Sequence, residues 1–206
     1  MSTSKLRAIA RAAIAGGLAW LALVPFAIVN AGRYDEGLVL DTADGYLMYG
    51  LLTLALALTV PALLGLHLHQ RGADGRLGRV GTLVAIAGVA TQSVVIGAIV
   101  VAGQETSWFG VTAPIAIATW FIGSVLLAIA IGRGRLMPRW VAFALPVVTL
   151  FAIVGAEFGT SVLIGIFLLV VGLRIARAAG AATALPWQGG REAEQMSARG
   201  VEYEWR

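Results

Sequence analysis

Residues 140–173 read WVAFALPVVTLFAIVGAEFGTSVLIGIFLLVVGL, and whether they form one helix or two decides the topology of the chain. As a single helix these 34 residues would be about 51 Å long. A hydrocarbon core is about 30 Å thick, so the stretch is too long for one crossing and short for two. The segment GAEFGTS at 155–161 resolves the matter. Two glycines around Glu157 read as a tight polar turn between two short helices. The Gly155–Gly159 pair also fits a small-xxx-small packing motif, but beside a charge at a span end turn chemistry is the better reading.

Working outward, four more apolar runs precede this pair, at about Ala12–Val29, Tyr46–Leu68, Val80–Ala102 and Val111–Ile131. The fifth and sixth spans are then Trp140–Ala156 and Phe158–Leu173. The runs are apolar on every side and lack the alternation of barrel strands. Only helices or closed barrels satisfy all backbone groups in lipid, so each run is a helix. The expected fold is all-α, a six-helix transmembrane bundle over residues 1–176.

Composition agrees. The chain has 206 residues, of which 59% are apolar and only 13% charged, and mean hydropathy is +0.86. A soluble domain carries about 25% charged residues. With no cysteine, disulfides, thiolate metal sites and thiol nucleophiles are excluded.

The net charge of +4 would fit a nucleic-acid binder, but the positions of the charges argue otherwise. With six spans, every one of the 15 basic residues except Arg33 falls on one side. Clusters occur at Lys5, Arg7 and Arg11, at Arg71, Arg76 and Arg79, and at Arg133, Arg135 and Arg139, with the rest from Arg174 onward. The positive-inside rule places that side, and both termini, in the cytoplasm. Merging the last two spans would move five arginines outside, a second argument for six. The opening KLRAIAR, its apolar run and Val29-Asn30-Ala31 resemble a cleavable signal, but the run is long for one.

Residues 177–206 change character, with four glutamates and isolated aromatics at Trp187, Tyr203 and Trp205. They read as a mostly disordered cytoplasmic tail with a short helix around Arg191–Arg199, or as a docking segment for a protein partner. GRLGRVGTLVAIAG (75–88) and GRLMPRWVAFALPV (134–147) echo one another. Both enter an outward-going helix from an inner loop, so shared topology explains the echo as well as duplication does.

Few residues are candidates for chemistry. Thr91, Gln92 and Ser93 lie at the centre of the third span. At bilayer depth Gln92 should face protein or water, bonding across to Thr119 or Ser124 on the fourth span or Thr149 on the fifth. Interhelical bonding is the leading reading and ligand contact the alternative. His67 and His69 diverge by about 200° on one helix and cannot aim at one metal. The outer acids Asp35, Glu36, Asp41, Asp44, Glu105 and Glu157 could gather at a mouth, though loop solvation explains them equally well. No ionisable residue lies near the middle of a span, which argues against a proton-driven pump. No HExxH, phosphate loop or GxSxG elbow is present, so no catalytic residue and no cofactor is expected. Pro25, Pro61, Pro114 and Pro146 fall in or near spans, where proline kinks are common.

At Leu136-Met137-Pro138-Arg139-Trp140 the chain resembles a broad set of small multi-spanning bacterial and archaeal membrane proteins. They carry a basic loop and then Leu-x-Pro-Arg-Trp at an inner helix start. The resemblance covers the arrangement of spans over about residues 8–176 and implies a multi-pass protein of the cell membrane. It carries no activity. Arg133, Arg135, Arg139 and Trp140 are expected to contact lipid headgroups. The expected function is a non-enzymatic accessory, sensing or assembly component, working through the tail or as a homo-oligomer. The alternative is a small permease for a neutral or lipophilic compound.

Overall fold

The computed structural model describes residues 3–29, 40, 42–69, 75–134, 138–154 and 160–198. Within the helices, the side chains of residues 3, 69, 153–154 and 181–198 are outside that description. Six helices follow in order: α1 (Thr3–Val29), α2 (Ala43–His69), α3 (Gly75–Ala102), α4 (Phe109–Gly134), α5 (Arg139–Val154) and α6 (Ser161–Ala198). Five are long and apolar enough to cross a membrane, while α5 is apolar but shorter. The protein is an integral, multi-pass helical membrane protein.

The expected break between the last two spans is present. α5 ends at Val154 and α6 begins at Ser161, with the Thr160 hydroxyl donating to the Phe151 carbonyl oxygen at 2.6 Å. The Gly155–Gly159 turn itself lies outside the described residues. With 16 residues α5 is about 24 Å long. That falls short of a hydrocarbon core of about 30 Å, and such mismatch is met by local thinning or by flanking residues reaching outward. α6 continues past Arg177, where the sequence reading starts the tail, to Ala198. Alanines at 178, 179, 181 and 182 favour helix over chain end there.

Successive helices are antiparallel neighbours. α1 packs on α2, α2 on α3, and so on to α6, which closes the ring against α1 and also touches α2. Two of these seams bring backbones close. In lipid there is no hydrophobic force between helices, so attraction comes from van der Waals contact, which small residues bring within range. At the α3–α4 seam, a methyl group on Gly123 would collide with the backbone of Ala85. One on Gly88 would collide with Trp120 and lie 2.7 Å from the Ala116 carbonyl oxygen. At the α1–α6 seam, a methyl on Gly17 would sit 2.8 Å from the carbonyl oxygen of Gly165.

Large side chains fill what the glycines do not. Trp20, Leu56, Leu127, Ile131 and Ile175 are fully buried. The Trp20 indole donates to the Thr59 hydroxyl at 3.1 Å, tying α1 to α2, and Thr59 donates onward to Ala55 at 2.8 Å. The surface is apolar too, with Val94, Val101, Ile115 and Phe143 all exposed, as a bilayer-facing surface requires.

The two ends differ. At one, Thr42 caps α2 by accepting from the Gly45 amide at 3.3 Å. There too the Leu40 amide donates to the Gly103 carbonyl at 2.7 Å. Gly103 has φ +71°, a left-handed conformation that favours glycine. Asp44 and Glu105 belong to this end. The antiparallel order carries Lys5, Arg7, Arg11, Arg76, Arg79, Arg133, Arg139, Arg174 and Arg177, the described basic side chains, to the other.

Candidate functional site

The polar residues of the spans do not form one cluster. Gln92 is 9% exposed on the buried face of α3, and its Oε1 has no hydrogen-bond partner. Its expected partners are engaged elsewhere. The Thr149 hydroxyl donates to Leu145 at 2.8 Å and shares a hydrogen bond with Ser124 at 3.2 Å, joining α5 to α4. Thr119 donates to Ile115 of its own helix at 2.7 Å. Ser93 turns the other way and donates to the Thr53 carbonyl of α2 at 3.0 Å. Thr91 is exposed on the bilayer side. A helix turns about 100° per residue, so three consecutive polar positions face three directions. Ser124 and Thr149, expected as partners of Gln92, meet each other instead, and the Gln92 Oε1 bonds to neither.

An unpartnered buried amide oxygen costs free energy, so Gln92 gives a sharp test. Gln92→Leu is expected to leave thermal stability in detergent unchanged, or to raise it by about 1 kcal/mol. A marked loss of stability would mean that the amide oxygen is satisfied in the membrane by a ligand or a second copy.

The basic end is better organised. Trp140, at the start of α5, meets Phe167 of α6 edge-on, with ring centroids 6.5 Å apart and an interplanar angle of 86°. The Arg174 guanidinium lies 5.8 Å from the Trp140 ring centroid. A cation–π contact at such an exposed position contributes about 0.5–1 kcal/mol. It also fixes the first turn of α5, where Arg139 and Trp140 are both exposed. Arg133 is exposed in the last turn of α4, and Arg135 lies outside the described residues.

Two grooves open on the outer surface of the bundle near this end. One, of about 530 Å³, lies between α4 and α5 and has Arg139 in its lining. The other, of about 430 Å³, lies between α2 and α3 and includes His67, Arg79 and Thr82. The side chain of His69 lies outside the described residues. Among the described residues no group of three His, Asp or Glu side chains could hold a metal ion. Asp35, Glu36, Asp41 and Glu157 lie outside them.

Sequence reasoning missed Trp20–Thr59 and Arg174–Trp140. The first had a usable signal, since Trp20 sits mid-span, away from the interfacial belt where tryptophan is usual. The second joins residues 34 positions apart on separate helices, and no local pattern announces it. No protein-family model, curated protein or solved structure matches the chain.

Proposed function

We propose that the protein is a non-enzymatic accessory component of the cytoplasmic membrane that supports, senses or assembles with a partner, with both termini in the cytoplasm. The observation that carries this reading is the distribution of polarity. The buried hydroxyls of Thr59, Thr82, Ser124 and Thr149 are spent on helix carbonyls or on one another. The buried oxygens of Gln92, Thr106 and Ser161 keep no partner, and the largest exposed set of charged and aromatic groups among the described residues is the basic end, where arginines and Trp140 stand. The positive-inside rule turns that end toward the cytoplasm. There it meets anionic lipid headgroups, and residues 177–206, with the aromatics Trp187, Tyr203 and Trp205, are the segment we assign to a protein partner.

Co-purification of the full chain in mild detergent tests the assignment. A stoichiometric partner that is lost on deleting residues 177–206 is expected. Its persistence after the deletion, or a lone monomer from native membranes, would overturn the docking role. Orientation has its own check. A reporter active only outside the cytoplasm, fused after Arg177, should be silent.

One observation favours a second reading. The unpartnered Oε1 of Gln92 is a group that could bind a neutral solute in a small permease. That reading requires a continuous polar path past Gln92, and uptake of such a solute into vesicles would have to fall in Gln92→Leu.

A further inference from the structure

We propose that the groove between α4 and α5 is a specific site for one anionic phospholipid, with an acyl chain in the groove and the phosphate on Arg139. The proposal deepens the placement of the basic end at the headgroups and rests on it.

The groove exists because small residues leave a furrow. Ala128 and Gly132 line it on α4, Ala142 on α5, and Ile129 and Phe143 form its exposed walls. Its volume of about 530 Å³ falls in the range of about 300–1,000 Å³ typical of sites for small organic ligands. The lining is mostly apolar and faces the bilayer, so a hydrocarbon chain is the ligand it suits. Arg139 supplies a charge where the groove meets the basic end. The described acids Asp44 and Glu105 lie at the opposite end of the bundle, so neither neutralises it. A guanidinium beside an apolar furrow at headgroup depth complements a phosphate carrying an acyl chain.

A second copy of the chain fits less well. Two copies meeting through the same groove about an axis normal to the membrane would bring their Arg139 side chains to the same depth and side. Like charges would then face each other where the lipid offers an opposite one.

The two halves of the site can be removed separately. Arg139→Gln deletes the charge. Gly132→Leu fills the furrow, and its Cβ is accommodated, since the nearest atom it meets is the Ala142 Cβ at 3.8 Å. Arg79→Gln, in the α2–α3 groove, removes an equal charge from the same end of the bundle and serves as the comparison.

The full chain in detergent would be titrated with long-chain phosphatidylglycerol or phosphatidylcholine and its bound lipids counted by native mass spectrometry. Wild type should retain one phosphatidylglycerol in preference to phosphatidylcholine. Arg139→Gln should weaken that binding about fivefold, the contribution of one basic residue at an anionic surface. Gly132→Leu should weaken it about fifteenfold, the loss expected from about two displaced methylene groups. Arg79→Gln should stay within about twofold of wild type, less than the loss of one surface charge. Equal retention of the two lipids, undiminished binding to Gly132→Leu, or an equal loss in Arg79→Gln would each overturn the site. So would a dimer of wild type that holds no lipid and is broken by Gly132→Leu. A reversed result from the topology reporter would overturn the orientation and leave the lipid count standing, so the two readings fail separately.

Discussion

Gly123→Ala and Gly88→Ala are expected to destabilise the bundle by about 1–3 kcal/mol each, through the addition of a single methyl group. At both positions the new carbon meets backbone, at Ala85 for Gly123 and at Trp120 for Gly88. Flexible side chains can swing aside from such a contact, but main chain cannot. Relief therefore needs α3 and α4 to separate, and contacts along the whole seam weaken together. Leucine at either position should prevent recovery of folded protein. Gly50→Ala is the control, because nothing lies within 4 Å of a Cβ built there. It should be neutral or stabilising by about 0.5–1 kcal/mol, the usual gain from alanine over glycine in a helix. Thermal or denaturant unfolding in detergent measures all three. If Gly123→Ala matched Gly50→Ala, the close α3–α4 seam would be wrong.

Trp20→Ala is expected to cost about 3–5 kcal/mol, the range for truncating a large buried aromatic. Trp20 is 1% exposed and fills space between α1 and α2, so its loss leaves a cavity that rigid helices close only in part. The hydrogen bond is the smaller share. Thr59→Val removes the acceptor and leaves the indole N–H unsatisfied, yet interhelical bonds of this kind average only about 0.6 kcal/mol and reach about 1.7. The order Trp20→Ala far above Thr59→Val should appear in the same unfolding assay. Equal losses would mean that the polar contact, more than the packing, holds α1 to α2.

Those two results concern seams that no pattern in the chain displays. Gly17, Gly88 and Gly123 look like many other glycines among the 26 in the sequence. What distinguishes them is a neighbouring backbone, which only the folded bundle supplies. Gln92 illustrates the same gap from the polar side. Its depth in the membrane follows from counting along the third span, but its partner depends on how far α3 is rotated. Thr119 and Ser124 were equally eligible on depth, and it was Ser124 that met Thr149 while Thr119 bonded its own helix. Lipid-facing grooves are likewise invisible in the chain, since they arise where two small-residue faces happen to diverge.

The sequence by itself determined that six helices form, that the chain is embedded in a membrane, and that the 140–173 stretch breaks in two. These follow from length and hydropathy, because lipid offers backbone groups no partner outside a helix. Basic residues clustered by loop also determined which helix ends come together, given only an up-and-down order. Tertiary structure alone decided which faces of those helices meet. With apolar residues on every side, no stripe marks an inner surface, and rotation is settled by backbone fit at Gly17, Gly88 and Gly123. The same fit left the furrow beside Arg139 open and the Gln92 oxygen without a partner.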